Sequence, residues 1–141
     1  MNDPAIPSNL HHVLIVKDRN GPKAYWLTAP MYTMGRETSN SIRLDSPFVS
    51  RHHAVLVKMP APLTPTGFVY QILDGDTEGN PSTNGIAVNN RRVDYHDLQD
   101  GDEIRFSTDV TANFILRDVS LDTILSTYEH TEIVLEEETH P

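Results

Sequence analysis

Residues 53–74 read HAVLVKMPAPLTPTGFVYQILD. The run falls into two halves, HAVLVKM over 53–59 and GFVYQILD over 67–74, each rich in branched and aromatic residues. Pro60-Ala61-Pro62 separates them. Proline cannot donate to a sheet ladder, so it marks strand ends and turns. The two halves therefore read as two short strands with a break between them. The same texture extends in both directions. HVLIVK (12–17), KAYWL (23–27, after Asn20-Gly21-Pro22), MYTMG (31–35) and SIRL (41–44) lie upstream. GIAVN (85–89), EIRF (103–106) and ANFILRDV (112–119) lie downstream. In SIRL, Ile42 and Leu44 share one face and Arg43 takes the other. Many short strands at near-regular spacing, with no ten-residue amphipathic helix before residue 119, predict an all-β sandwich or barrel.

The C-terminal stretch follows another period. Leu121, Ile124, Leu125 and Tyr128 repeat as one helical face behind Ser120, a suitable N-cap. A helix this short is marginal alone and has to dock on something. From Glu136 onward the composition predicts disorder.

The chain has 141 residues, enough for one domain. No stretch reaches the ~18 apolar residues of a spanning helix, and residues 1–10 carry no signal-peptide pattern. There is no cysteine, which removes disulfides, thiolate catalysis and cysteine-ligated zinc. The expected location is cytoplasmic, without membrane attachment. Net charge is −9, but it is unevenly spread. Asp122, Glu129, Glu132, Glu136, Glu137 and Glu138 make the tail acidic, with no Lys or Arg after residue 119. The rest holds 14 acids against 11 bases. Nucleic acid is not an expected partner, because backbone binding needs clustered Lys and Arg. A local site for one phosphate is compatible with this balance.

Three polar clusters fall in predicted loops: Gly35-Arg36-Glu37, Ser50-Arg51-His52-His53 and Ser82-Thr83-Asn84-Gly85. Arginine offers planar, permanently charged donors that fit phosphate oxygens. Serine and threonine hydroxyls supply single bonds to the remaining oxygens, and asparagine suits a peptide backbone. Loops on a rigid scaffold are the usual place for such a set.

The run GRE…NSIRLDSPFVSRHHAVL…LD…STNGIAVNN…LQDGDEIRF resembles a forkhead-associated (FHA) domain over roughly residues 12–119. The joint order of GR, SRxH and STNG is specific, whereas each alone is weak. The resemblance implies a β-sandwich of about eleven short strands whose loops at one end bind phosphothreonine peptides, with no catalysis and no cofactor. It divides the chain into an N-terminal segment (1–11), the FHA domain (12–119) and an acidic tail (120–141). It implies that Arg36 contacts the phosphate, that Ser50 bonds a phosphate oxygen, and that Arg51 contacts phosphate or peptide backbone. Thr83 would hold the phosphate and the threonine methyl, and Asn84 the ligand main chain. Gly35, His53 and Gly85 match loop-shaping positions. The implied partner is a protein phosphorylated on threonine by an upstream Ser/Thr kinase. A phospho-independent scaffold of the same fold is the alternative, and a metal hydrolase a distant third.

The chain departs from the family pattern in places. GDTEGNP (75–81) is longer than usual and brings Asp76 and Glu78 close to the expected site. Asn90 and Ser107 stand where glycine is common. Phe48 lies in the loop that reads the third residue after the phosphothreonine, which suggests an apolar preference there. His52-His53 and the Asp74-x-Asp76-x-Glu78 spelling invite metal readings. Neighbouring strand residues face opposite ways, and position 12 of the calcium-like loop is Gly85 rather than Glu. No metal is expected. Thr127 and Thr131 in STYEHTEIV are candidate phosphoacceptors. Thr131 lies about 12 residues past the last strand, an extended reach of roughly 40 Å, so it could occupy the domain's own site or that of a second copy. The plainer reading is a solvated tail.

Overall fold

A computed structural model of the chain describes residues 10–118 and the backbone of 132–134. The candidate tail helix, the expected disorder after Glu136, and Thr127 and Thr131 lie outside the described residues. The described chain is built of strands: β1 (Leu10–Asp18), β2 (Gly21–Leu27), β3 (Met31–Gly35), β4 (Ile42–Arg43), β5 (Ala54–Pro60), β6 (Phe68–Asp74), β7 (Ile86–Val88), β8 (Arg91–Val93), β9 (Tyr95–Asp97), β10 (Glu103–Ser107), β11 (Val110–Asp118) and β12 (Glu132–Val134). One sheet has the order β12-β2-β1-β11-β10-β7-β8 and the other β4-β3-β5-β6-β9. The halves of the 53–74 run pair antiparallel as β5 and β6, from Ala54 opposite Asp74 to Pro60 opposite Phe68. Among the described residues no helix is long and apolar enough to cross a membrane.

Alternation along the strands builds the core. Leu14 and Val16 of β1, Met34 of β3, Leu56 of β5, Tyr70 and Ile72 of β6, Phe106 of β10 and Phe114 of β11 pack together between the sheets. Each such side chain, fully buried, contributes about 1.5–3 kcal/mol. The intervening β1 residues Val13 and Ile15 are also fully buried, in a second cluster with Ala24 and Ile115. That explains why HVLIVK reads as a continuous apolar run rather than an alternating one.

Three strands escaped the sequence reading. β12 lies in the acidic tail, where a solvated segment is the plainer expectation, and its backbone pairs parallel with the edge strand β2. β8 (RRV) and β9 (YHD) are short and mostly polar. Turn chemistry and pairing make them strands. Asn89 and Asn90 both take positive φ, 51° and 68°, the geometry of the hairpin turn that matches strand twist. The turn folds Arg91–Val93 back onto β7. Asn90 thus fills the usual glycine position because asparagine tolerates the left-handed region.

His12 is a titrating element of this core. It is buried, its ring stacked on Phe68 at 4.5 Å between centroids. The Thr66 hydroxyl donates to the Phe68 carbonyl, so at the 3.1 Å contact the His12 Nε2–H donates to Thr66 Oγ1. Nδ1 is buried and has no partner among the described residues. Desolvation, aided by the charge of Lys58, lowers the His12 pKa to about 4. An unfolded histidine titrates near 6.5. Between these values the unfolded chain binds more protons, so stability falls as pH drops from about 6.5 toward 4. The expected loss from this residue is on the order of 2–3 kcal/mol. Urea titrations at pH 7.5, 5.5 and 4.5 check this; His12→Phe should flatten the slope in that window.

Candidate functional site

The loops between β3 and β4, between β4 and β5 and between β6 and β7 meet at one end of the sandwich, and His53 is where they join. Its ring is fully buried. The Ser50 backbone N–H donates to His53 Nδ1 at 3.0 Å. Nδ1 is therefore the acceptor, and the Nε2–H donates to the Gly85 carbonyl at 2.8 Å. One neutral imidazole thus ties the SRHH loop to the STNG loop. Burial holds its pKa below the ordinary histidine value, opposed by the Gly85 bond and the Asp74 charge.

The GR loop is fastened to the same place. Arg36 N–H donates to the Ser50 carbonyl at 3.0 Å and Glu37 N–H to the Arg51 carbonyl at 3.3 Å. Gly35 lies so close that a Cβ there would come within 2.2 Å of the Arg51 carbonyl oxygen. This close approach, not an unusual φ, is why the position needs glycine.

Two further side chains complete the loops: Asn40, which the sequence did not single out, and Ser82, which it placed in a polar cluster without a role. Asn40 donates through Nδ2 to the Glu37 and Arg51 carbonyls at 2.9 and 2.8 Å. The hydroxyl of buried Ser82 donates to Asp74 and accepts from Gly85 N–H at 2.8 Å. Such residues satisfy loop backbone groups that sheet pairing leaves over. Their only sequence signal is being small and polar beside a turn, which most loops share.

With the loops tied down, several polar groups remain for solvent. Arg36 is exposed. Its Nε–H donates to the Val49 carbonyl at 3.0 Å. Among the described residues its terminal amino groups have no ion pair. Ser50 Oγ accepts the Thr83 N–H at 2.9 Å, which leaves its own proton to give. Arg51 is exposed and reaches Glu37 only at 4.0 Å. Such an exposed pair is worth little. Arg36, Ser50, Arg51 and Thr83 line one depression of about 280 Å³, with Asp76 and Asn80 on its rim. Asn84 and Phe48 are close by in a second recess, where Asn84 Nδ2 donates to the Phe48 carbonyl at 2.8 Å. Phe48 is exposed.

The calcium-like spelling resolves into two separate turns. The Asp74 carboxylate accepts from Ser82. That of Asp76 accepts from the Glu78 and Asn80 amides and from Asn80 Nδ2, all within 2.9 Å. The Asn80 side-chain bond is the main reason the Asp76 pKa lies below the usual carboxylate value. His52, next to the buried His53, is exposed, with Nδ1 3.2 Å from Asn40 Oδ1.

Comparison with known proteins bears on this arrangement. The FHA domain family model matches residues 32–107. The solved Slr1951 protein from Synechocystis is 40% identical, with a TM-score of 0.70 over 75% of this chain and 98% of that one. The Synechocystis protein sll1895 is 38% identical over 97 residues, 69% of this chain and 14% of its own length. EmbR of Mycobacterium tuberculosis, solved in complex with a low affinity phosphopeptide, is 33% identical, with a TM-score of 0.58 over 77% of this chain and 25% of that one. The chain thus spans only a small part of the curated relatives it matches. By the family match, the strand order and these likenesses, the chain belongs to the FHA domain family.

Proposed function

We propose that this domain binds phosphothreonine peptides and acts as a non-enzymatic adaptor, recruiting a protein phosphorylated by a Ser/Thr kinase. The observation that carries the reading is the depression lined by Arg36, Ser50, Arg51 and Thr83. There, guanidinium and hydroxyl donors stand together: Arg36 gives only its Nε–H to loop backbone and Ser50 Oγ only a lone pair, so the terminal amino groups and the hydroxyl proton remain to give. A phosphate ester carries about −1.5 to −2 charge and three acceptor oxygens. Arg36 and Arg51 supply the countercharge, and the Ser50 hydroxyl a neutral donor. Thr83 closes the side that meets the threonine methyl, and Asn84 holds the peptide main chain. Gly35, His53 and Gly85 support the loops without touching ligand. The phosphopeptide complex of the relative EmbR agrees with this reading.

Arg36→Ala should abolish capture of a phosphothreonine peptide, at least a hundredfold in Kd, while the circular dichroism spectrum stays native. Calorimetric titration of both proteins measures this. Capture that survives the substitution, and is indifferent to phosphatase treatment of the ligand, would favour the phospho-independent scaffold.

A glutamate replacing phosphothreonine brings one charge and a flat geometry, leaving donors in the cradle unpaired at about 1–3 kcal/mol for each buried group. Matched phosphothreonine and glutamate peptides should therefore differ by at least tenfold in affinity. Equal affinities would refute the cradle.

Gly35→Ala should lower stability by about 1–3 kcal/mol, since the new methyl group meets backbone that cannot easily yield. Urea denaturation of the variant gives the number.

A further inference from the structure

Beside the phosphate-site loops runs a larger recess of about 520 Å³, bordered by Phe48, Asn84, Ala87, Arg92, Arg105 and Phe106. Strand pairing builds its floor. Ala87 of β7 stands between two partners, Arg105 on β10 and Arg92 on β8. Ile86, Val88, Ile104 and Phe106 point into the core, so Arg105, Ala87 and Arg92 form a row across the outer face of the sheet. Two strand spacings separate the arginines at the backbone, about 10 Å. The small Ala87 leaves a trough between them.

Two further observations single out this row. Arg92 and Arg105 are both exposed, and among the described residues neither has an ion pair or a side-chain hydrogen bond. By contrast, Arg19 and Arg43 both contact Asp45, and Arg117 contacts Asp100. Secondly, Arg92 is bent toward the ligand loops. A Cβ built on Gly85 would lie 2.6 Å from its Nη2 and 2.7 Å from its Cζ. The guanidinium therefore occupies the space beside Asn84-Gly85 that any other residue at position 85 would fill. Two uncompensated cations thus flank a recess whose mouth holds Asn84.

We propose that this recess is a specificity subsite for an acidic side chain, Asp or Glu, carried by the phosphopeptide near its phosphothreonine. The proposal rests on the phosphopeptide reading above. A peptide held at Asn84 passes the recess. A carboxylate accepts from the planar guanidinium groups of Arg92 and Arg105. The exposed ring of Phe48 packs on the methylenes of the same side chain. Phe48 alone suggests an apolar residue; the charge of the recess selects one with an acid at its end. The same two cations disfavour lysine and arginine in the ligand, which adds exclusion to attraction.

The test uses the full chain and fluorescein-labelled phosphothreonine peptides with a neutral background. Glu, Leu or Lys is placed in turn at each of the four positions after the phosphothreonine, and anisotropy gives Kd. The wild-type protein should bind Glu about tenfold tighter than Leu at one position, with Lys weakest there. Arg92→Ala with Arg105→Ala should bring the Glu-to-Leu ratio close to one, and Arg105→Ala should leave the Leu peptide's affinity within about twofold. Arg105→Ala alone should reduce the ratio severalfold, and it alters no loop contact. Arg91→Ala removes the same charge outside the recess and should leave the ratio intact. A wild-type preference for Leu, no preference at any position, a ratio that survives the double substitution, or equal loss in Arg91→Ala would each overturn the subsite. Phosphothreonine-dependent binding without acid preference defeats the subsite alone; no binding of any phosphothreonine peptide defeats the functional reading and the subsite with it.

Discussion

The buried ring of His53 constrains everything at the loop end of this molecule. A single imidazole accepts from the Ser50 amide and donates to the Gly85 carbonyl. These two loops lie 35 residues apart in the chain, and no sheet hydrogen bond joins them at that level. The bond pattern admits only the neutral tautomer with its proton on Nε2. A second proton would aim an N–H at the Ser50 N–H, and burial already opposes the charge. The Gly85 bond is buried and the Ser50 bond partly so, and unpaired groups cost most where water is excluded. The position of Ser50, and through it the Thr83 amide on its hydroxyl, follows from this ring.

Around that centre the loops satisfy themselves from within. Asn40 spans the GR and SRHH loops, Ser82 closes the turn before Gly85, and Asp76 folds the long 75–81 loop upon Asn80. Internal bonding leaves much of the polar surface for solvent: Ser50 Oγ accepts the Thr83 amide but keeps its own proton to give. Arg36 uses only its Nε–H to hold backbone. Net charge is a poor guide to such a site. A chain at −9 presents four outward arginines on two adjoining recesses, because local geometry rather than the sum over the molecule sets the field a ligand meets.

The legible part of the molecule was that written locally. β5 and β6 could be read from two apolar runs and a proline-rich break, and the Asn89-Asn90 turn from the tolerance of asparagine for positive φ. The polar set at GR, SRHH and STNG stood out because each cluster is contiguous. β8 and β9 were not legible, since RRV and YHD carry no alternation; they become strands because a tight turn and a waiting edge supply their partners. Asn40 was silent, and the bracing role of Ser82 was hidden inside its cluster, for a similar reason: a small polar residue beside a turn looks the same whether it faces water or ties loop backbone together.

Residue type, local turn preference and the order of the three clusters thus came from the chain itself, because φ/ψ preference and side-chain chemistry depend on near neighbours. Only the folded sheet decided which distant groups meet. Arg92 and Arg105 are 13 residues apart and look like two ordinary surface cations; the order β10-β7-β8 sets them on either side of Ala87. Their meeting depends on hydrogen-bond pairing between strands that are not all neighbours in sequence. No window along the chain contains that information.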